Sequence, residues 1–235
     1  MKIDLFDRYD IRTRICAFIF VVSPFLLDAY ILVEASRSLA TTAIVAVVLI
    51  AGSGLATCWM RYMGNTVAQV DYIAQYLLPS STAVDANTLD RYYTKLIGLE
   101  PGFVDLKSND LNACQNAAKA VSNWLREKTR DAKFSLVHEE NLNYGFIRNL
   151  YTVKSAFLVC FTAYNVLLIG FLIVSNWALS PVDYFSTIPV DHVACMIIHV
   201  TVYLVWLLGI SKKILDFAAK KYAKSVIHAI DEITG

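Results

Sequence analysis

Four apolar runs, at residues 15–33, 39–59, 156–179 and 190–210, interrupt a chain whose other segments are polar and charged. Each is close to the ~20 residues an α-helix needs to cross a hydrocarbon core about 30 Å thick. Only the short connections 34–38 and 180–189 separate the members of each pair, so the pattern predicts two membrane-crossing hairpins. The insert between them, 61–155, repeats its apolar positions at helical rather than strand spacing. The second run continues through residues 60–78 with Val67, Val70, Ile73, Tyr76 and Leu77, and Pro79 ends it. A short helix follows, capped by Asn87 or Thr88 and closed at Gly98, then a longer one headed by Ser108 with Leu111, Cys114, Ala118, Val121 and Leu125 on one stripe. At the C-terminus Leu215, Ala218, Tyr222, Val226, Ala229 and Ile233 form a similar stripe, which predicts a stalk helix packed against other subunits. The expected fold is an all-α membrane protein with four transmembrane helices in two hairpins. A helical cytoplasmic insert lies between spans two and three, and a cytoplasmic helix ends the chain. Its divisions are an interfacial segment (1–14), hairpin one (15–60), a sensor domain (61–155), hairpin two (156–210) and the C-terminal helix (211–235).

Charge orients this arrangement. Of the 21 lysines and arginines, 20 fall in 1–14, 61–155 and 211–235, and Arg37 alone lies in a connection. Basic residues collect on the cytoplasmic side, so both termini and the insert are expected there. Composition agrees, with 57% apolar residues and a mean hydropathy of +0.49, above the soluble range. The first run follows Asp4, Asp7 and Asp10 and lacks a small-residue cleavage site, so it reads as a retained span rather than a secretory signal. The five cysteines, Cys16, Cys58, Cys114, Cys160 and Cys195, form no CxxC pair, so neither a zinc site nor a disulfide framework is indicated. No metal or cofactor is expected.

Within the spans, Asp28 stands out, because a membrane carboxylate faces protein or water. It either bonds a neighbouring helix or joins a ring of carboxylates at a pore mouth. His192, Cys195 and His199 share one helix face, and Thr162, Tyr164, Asn165 and Asn176 mark another polar surface. Both fit helix–helix hydrogen bonding or a wet, gated pathway. His192 and His199 are two turns apart, about 10 Å of axial rise, too far to close one metal site in one subunit. Asp28, Asn165, His192 and His199 are therefore the candidate pore or gate residues. Trp59, Trp177, Tyr184 and Trp206 lie near span boundaries and read as interfacial anchors. Four spans make a thin bundle, so a conducting path forms more readily between subunits than inside one.

In the insert, residues 139–150 combine amide, aromatic and guanidinium side chains around Gly145. Asn141, Asn143 and Asn149 offer edges to a base or sugar. Tyr144 and Phe146 offer stacking faces, and Arg126, Arg130 and Arg148 offer charge to phosphate. The same stretch also reads as a capped helix start in which Glu139 or Glu140 pairs with Arg148. Enzyme chemistry has little support, since HExxH, GxSxG and Gly-rich phosphate loops are missing from the sequence. Two further alternatives stand beside a ligand-gated channel: a scaffold that recruits a soluble partner through the insert, and a membrane-anchored hydrolase using His138 and Glu139.

The paired hairpins around a helical insert, with Arg126-Glu127-Lys128-Thr129-Arg130-Asp131 followed by the stretch from Glu140 to Leu150, resemble a family of bacterial four-span membrane proteins found near antiphage defence genes, the membrane effectors of the Hailong system among them. The resemblance covers the topology and roughly residues 124–150. It implies a homotetrameric, channel-like effector of the bacterial inner membrane, embedded in the lipid bilayer. Such an effector is held inactive by a short single-stranded DNA or nucleotide ligand from a partner nucleotidyltransferase, and its release disrupts the membrane.

Overall fold

The structure, a computed structural model, describes residues 8–32, 39–64, 70–179 and 189–234, and every regular element among them is helical. In chain order these are α1 (Arg8–Leu32), α2 (Leu39–Gly64), α3 (Tyr72–Tyr76), α4 (Ala86–Leu99), α5 (Leu111–Lys128), α6 (Ser135–Leu179), α7 (Val190–Leu204) and α8 (Lys212–His228). A π turn, Ile11–Ile15, lies within α1, another, Val205–Gly209, prolongs α7, and 3-10 segments occupy Pro101–Lys107 and Ala229–Glu232. Three helices, α1, α6 and α7 together with its π turn (Val190–Gly209), are long and apolar enough to cross a membrane. The second apolar run is helical as well, in the 26-residue α2. The connections expected at 34–38 and 180–189, with Arg37 and Tyr184, lie outside the described residues apart from Pro189, as do Asp4, Asp7, Val67 and the side chains of Asn176 and Trp177.

The chain divides into two compact units, one of residues 1–67 and 145–214, the other of 68–144 and 215–235. The first, the membrane unit, is centred on Phe157, Phe161 and Trp206, with Phe18, Val21 and Phe25 of α1 against them. Trp206 is fully buried and stacks on Phe157 with ring centroids 3.9 Å apart. It is a core residue, not the boundary anchor its position suggested, because α7 turns that face toward α6. The Lys154 ammonium donates to the carbonyls of Leu207 and Ile210, capping the end of the π turn. At its N-terminal end α1 lies so close to α6 that a Cβ on Gly145 would stand 2.6 Å from the Tyr9 hydroxyl. Glycine is what permits that approach.

The second unit, the insert unit, has its own core of Ile73, Leu77, Leu96, Leu106, Val121 and Leu125, into which Val226, Ile227 and Ile230 of the C-terminal segment are fully buried. The apolar stripe of α8 is thus satisfied inside its own chain rather than as a stalk against other subunits. At about 1.5–3 kcal/mol per fully buried side chain, those three residues tie residues 215–234 to the insert.

Aspartates cap the insert helices. Asp85 accepts from the Thr88 amide at the start of α4, so neither Asn87 nor Thr88 is the cap. Asp110 rather than Ser108 caps α5, while the Ser108 hydroxyl accepts from the Asp110 amide. The expected continuous helix over 60–78 is interrupted: Val70 and Asp71 are not helical, and Asp71 caps α3 by accepting from the Ala74 amide. Its carboxylate also accepts from the Ser122 hydroxyl and from Arg126, which draws the chain onto α5 instead of letting it run on.

Candidate functional site

Pro24 lies inside α1 and cannot donate to the Phe20 carbonyl one turn back. The Ser23 hydroxyl does so instead, at 3.0 Å, so the proline leaves no orphaned carbonyl at that point. Asp28 follows one turn later on the same buried face. It is only 2% exposed, and a carboxylate taken so far from water needs compensating partners.

Two helices supply them. Asp28 Oδ2 accepts from the Tyr164 hydroxyl of α6 at 2.7 Å and lies 2.7 Å from His199 Nε2 of α7. His199, 5% exposed, has its other nitrogen, Nδ1, 2.6 Å from Asn165 Oδ1. Asn165 in turn donates through Nδ2 to the Phe161 carbonyl. The buried Cys195 thiol, one turn before His199, is beside the same carboxylate. Asp28 Oδ1 is buried and accepts no hydrogen bond. The ring of Phe161 lies 5.0 Å from that of His199, and Phe25 packs edge-on against Tyr164, so aromatic surface covers one side of the network. A cavity of about 250 Å³ opens beside it between α6 and α7, with Thr162, Asn165, Cys195, His199 and Tyr203 among its walls.

Three of the four predicted pore or gate residues, Asp28, Asn165 and His199, therefore meet in one network. His192 is two turns from His199 on α7, half-buried, with Nδ1 lacking a hydrogen bond. Tyr164 and Cys195 complete the cluster. Both stood out in the sequence only as polar positions on separate helices. Among the described residues, no three His, Cys, Asp or Glu side chains converge as metal ligands.

The predicted ligand-binding residues are spread over both units. In the insert unit, Arg126 bonds Asp71 at 2.8 Å and Asn123, and Arg130 lies 3.8 Å from Glu127. Tyr144 stacks on Tyr222 with ring centroids 6.0 Å apart. Asn143 is exposed and Asn141 half-buried on the same stretch of α6. Glu140 pairs with Lys221, not with Arg148. In the membrane unit, Phe146 packs on the aromatic core and Arg148 lies against Gly64. Asn149 is buried and donates to the Thr13 carbonyl at 2.9 Å. The polar-aromatic stretch is thus a helix interior whose side chains are largely engaged, rather than a helix start. His138 faces the Asp131 carbonyl.

The insert unit also carries an aromatic and basic group that the sequence did not reveal. Tyr72 and Tyr76 pack together on α3, and the Lys220 ammonium of α8 lies 5.4 Å from the Tyr72 ring centre. Burial, and then the neighbouring Asp216 carboxylate, push the Tyr72 phenol above its ordinary range. No local signal joins positions so far apart in the chain. No protein family, no curated protein and no solved structure matches this chain.

Proposed function

We propose that the chain is a channel-like membrane effector assembled from several copies, a tetramer by the resemblance, in a bacterial inner membrane. In this reading it has four spans, α1, α2, α6 and α7, with both termini and the insert unit on the basic, cytoplasmic side. The observation that carries the reading is the Asp28–His199–Asn165 network, an ionisable cluster held in helices of otherwise apolar composition. Such groups are costly in a bilayer and mark ion or proton pathways. Val159, Leu167 and Phe171 of α6 and Ile197, Val200 and Leu208 of α7 are exposed, which suits contact with lipid or with further copies. The cavity between α6 and α7 is walled mainly by apolar side chains, with Thr162, Asn165 and His199 among them, and a second copy can complete it as a path.

The insert unit is the sensor in this proposal, and its ligand is a nucleotide or short single-stranded oligonucleotide. The Tyr144–Tyr222 stack, Tyr72, Tyr76 and the lysines of α8 offer π faces and positive charge for it. Because α6 contributes residues to both units, ligand occupancy has a covalent route to the membrane helix.

The test is ion flux from liposomes containing the purified protein, with and without short oligonucleotides. Flux is expected from the reconstituted protein, with a change of roughly tenfold or more on replacing His199 by Ala. Protein that inserts and stays folded yet passes no ion under either condition would overturn the channel reading and bring the scaffold forward.

A further inference from the structure

Both ring nitrogens of His199 face oxygens placed to accept. Nε2 lies 2.7 Å from Asp28 Oδ2, and Nδ1 lies 2.6 Å from Asn165 Oδ1. The orientation of the amide is fixed by its other end. Asn165 Nδ2 donates to the Phe161 carbonyl at 2.7 Å, and turning the amide over would press two oxygens together there. A neutral imidazole carries a single ring hydrogen, so with Asp28 ionised one lone pair must point at another. The mismatch falls on Nδ1 against Asn165 or on Nε2 against the carboxylate. Either way a net negative charge is left among apolar helices, on a carboxylate whose Oδ1 accepts no hydrogen bond. One additional proton removes the mismatch and the charge together.

We infer that Asp28 and His199 form a proton-binding site of zero net charge, in which Nδ1 is protonated toward Asn165 and a second proton is held between Nε2 and Asp28 Oδ2. That proton comes from water and rests on Nε2, as an imidazolium–carboxylate pair, or on Oδ2, as a carboxylic acid beside neutral imidazole. The charge is zero in both forms. The titratable groups facing the site are Asp28 itself from α1, Tyr164 from α6, whose hydroxyl donates to Oδ2, and Cys195 from α7. Because its partners come from three helices, loss of the proton sets α1, α6 and α7 against one another. The inference needs no ion conduction and stands or falls separately from the channel reading.

The experiment is nitrogen-15 NMR of histidine-labelled, full-length protein in micelles near neutral pH. The chain has 4 histidines, so replacing His138, His192 and His228 with Gln leaves His199 as the sole signal. If that variant does not fold, the signal lost in His199→Gln identifies the same ring. The expected result is a protonated Nδ1 accompanied either by a protonated Nε2 or by a bare Nε2 together with an infrared carboxylic-acid band that vanishes in Asp28→Asn. A bare Nδ1, or a bare Nε2 without the acid band, overturns the inference.

Discussion

Replacing Asp28 by Ala or by Asn separates loss of the buried network from a mere change of charge. Alanine leaves the Tyr164 hydroxyl and His199 Nε2 without their shared partner in a site that is only 2% exposed at Asp28. If these were ordinary neutral contacts between membrane helices, at about 0.6 kcal/mol each, the loss would be roughly 1 kcal/mol. Breaking a buried charged pair costs about 3–5 kcal/mol, because the remaining partner stays desolvated. The burial of both Asp28 and His199 and the second acceptor on His199 favour the larger figure, so Asp28→Ala is expected to destabilise the membrane unit by about 3 kcal/mol. Asparagine keeps the shape. Its amide nitrogen at the Oδ2 position can donate one hydrogen to Nε2 of a neutral His199 and one to the Tyr164 oxygen, so its cost is about 1 kcal/mol. At roughly 2–4 °C per kcal/mol for a chain of this size, the Ala variant should melt about 4–8 °C below the Asn variant in the same detergent. Equal melting temperatures for the two variants, whether both near wild type or both far below it, would refute the reasoning.

Three further outcomes concern the insert unit. Asp71→Ala removes the α3 cap and leaves the fully buried Ser122 hydroxyl without its acceptor, while the half-exposed ion pair to Arg126 adds little. The expected loss is about 2–3 kcal/mol, read as faster hydrogen exchange across α5. Ile230→Ala, at a fully buried position of the C-terminal segment, should cost about 2–5 kcal/mol and deprotect α4 and α5, whereas a stalk serving other subunits would leave them unchanged. The Tyr93 phenol is raised above its ordinary range, first by burial and then by Cys114 and Asp90, so the folded state holds that proton more tightly than the unfolded chain. Its stabilisation is complete below the unfolded value of 10.0 and is lost as pH rises from there toward the folded value. Exchange in the insert unit should therefore accelerate in that alkaline window, with a shallower slope in Tyr93→Phe.

Much of this architecture is legible because it is local. A stripe such as Leu111, Cys114, Ala118, Val121 and Leu125 defines a helix wherever its partner lies, and α5 follows it. Cap positions were displaced by a few residues because Asp85, Asn87 and Thr88, like Ser108 and Asp110, all carry cap-competent side chains. Only the register of the apolar face on the core selects among them. The same locality misleads where polarity has a distant cause. Asn149 looks like a group offered to a ligand until the Thr13 carbonyl is found opposite it.

Asp28, Asn165 and His199 show the converse. Each was conspicuous alone, as a polar residue in an apolar run, yet nothing local encodes a pairing across 171 residues. What the sequence does carry is the cost: three helices cannot each afford an unsatisfied polar group in a bilayer, and mutual satisfaction is the cheapest escape. The proton requirement follows only when the atoms are placed, because it turns on Asn165 presenting its oxygen to His199 while its nitrogen serves Phe161. A network with this geometry does more than hold helices together. By requiring a proton for its own completion, it makes the packing of α1, α6 and α7 sensitive to proton availability.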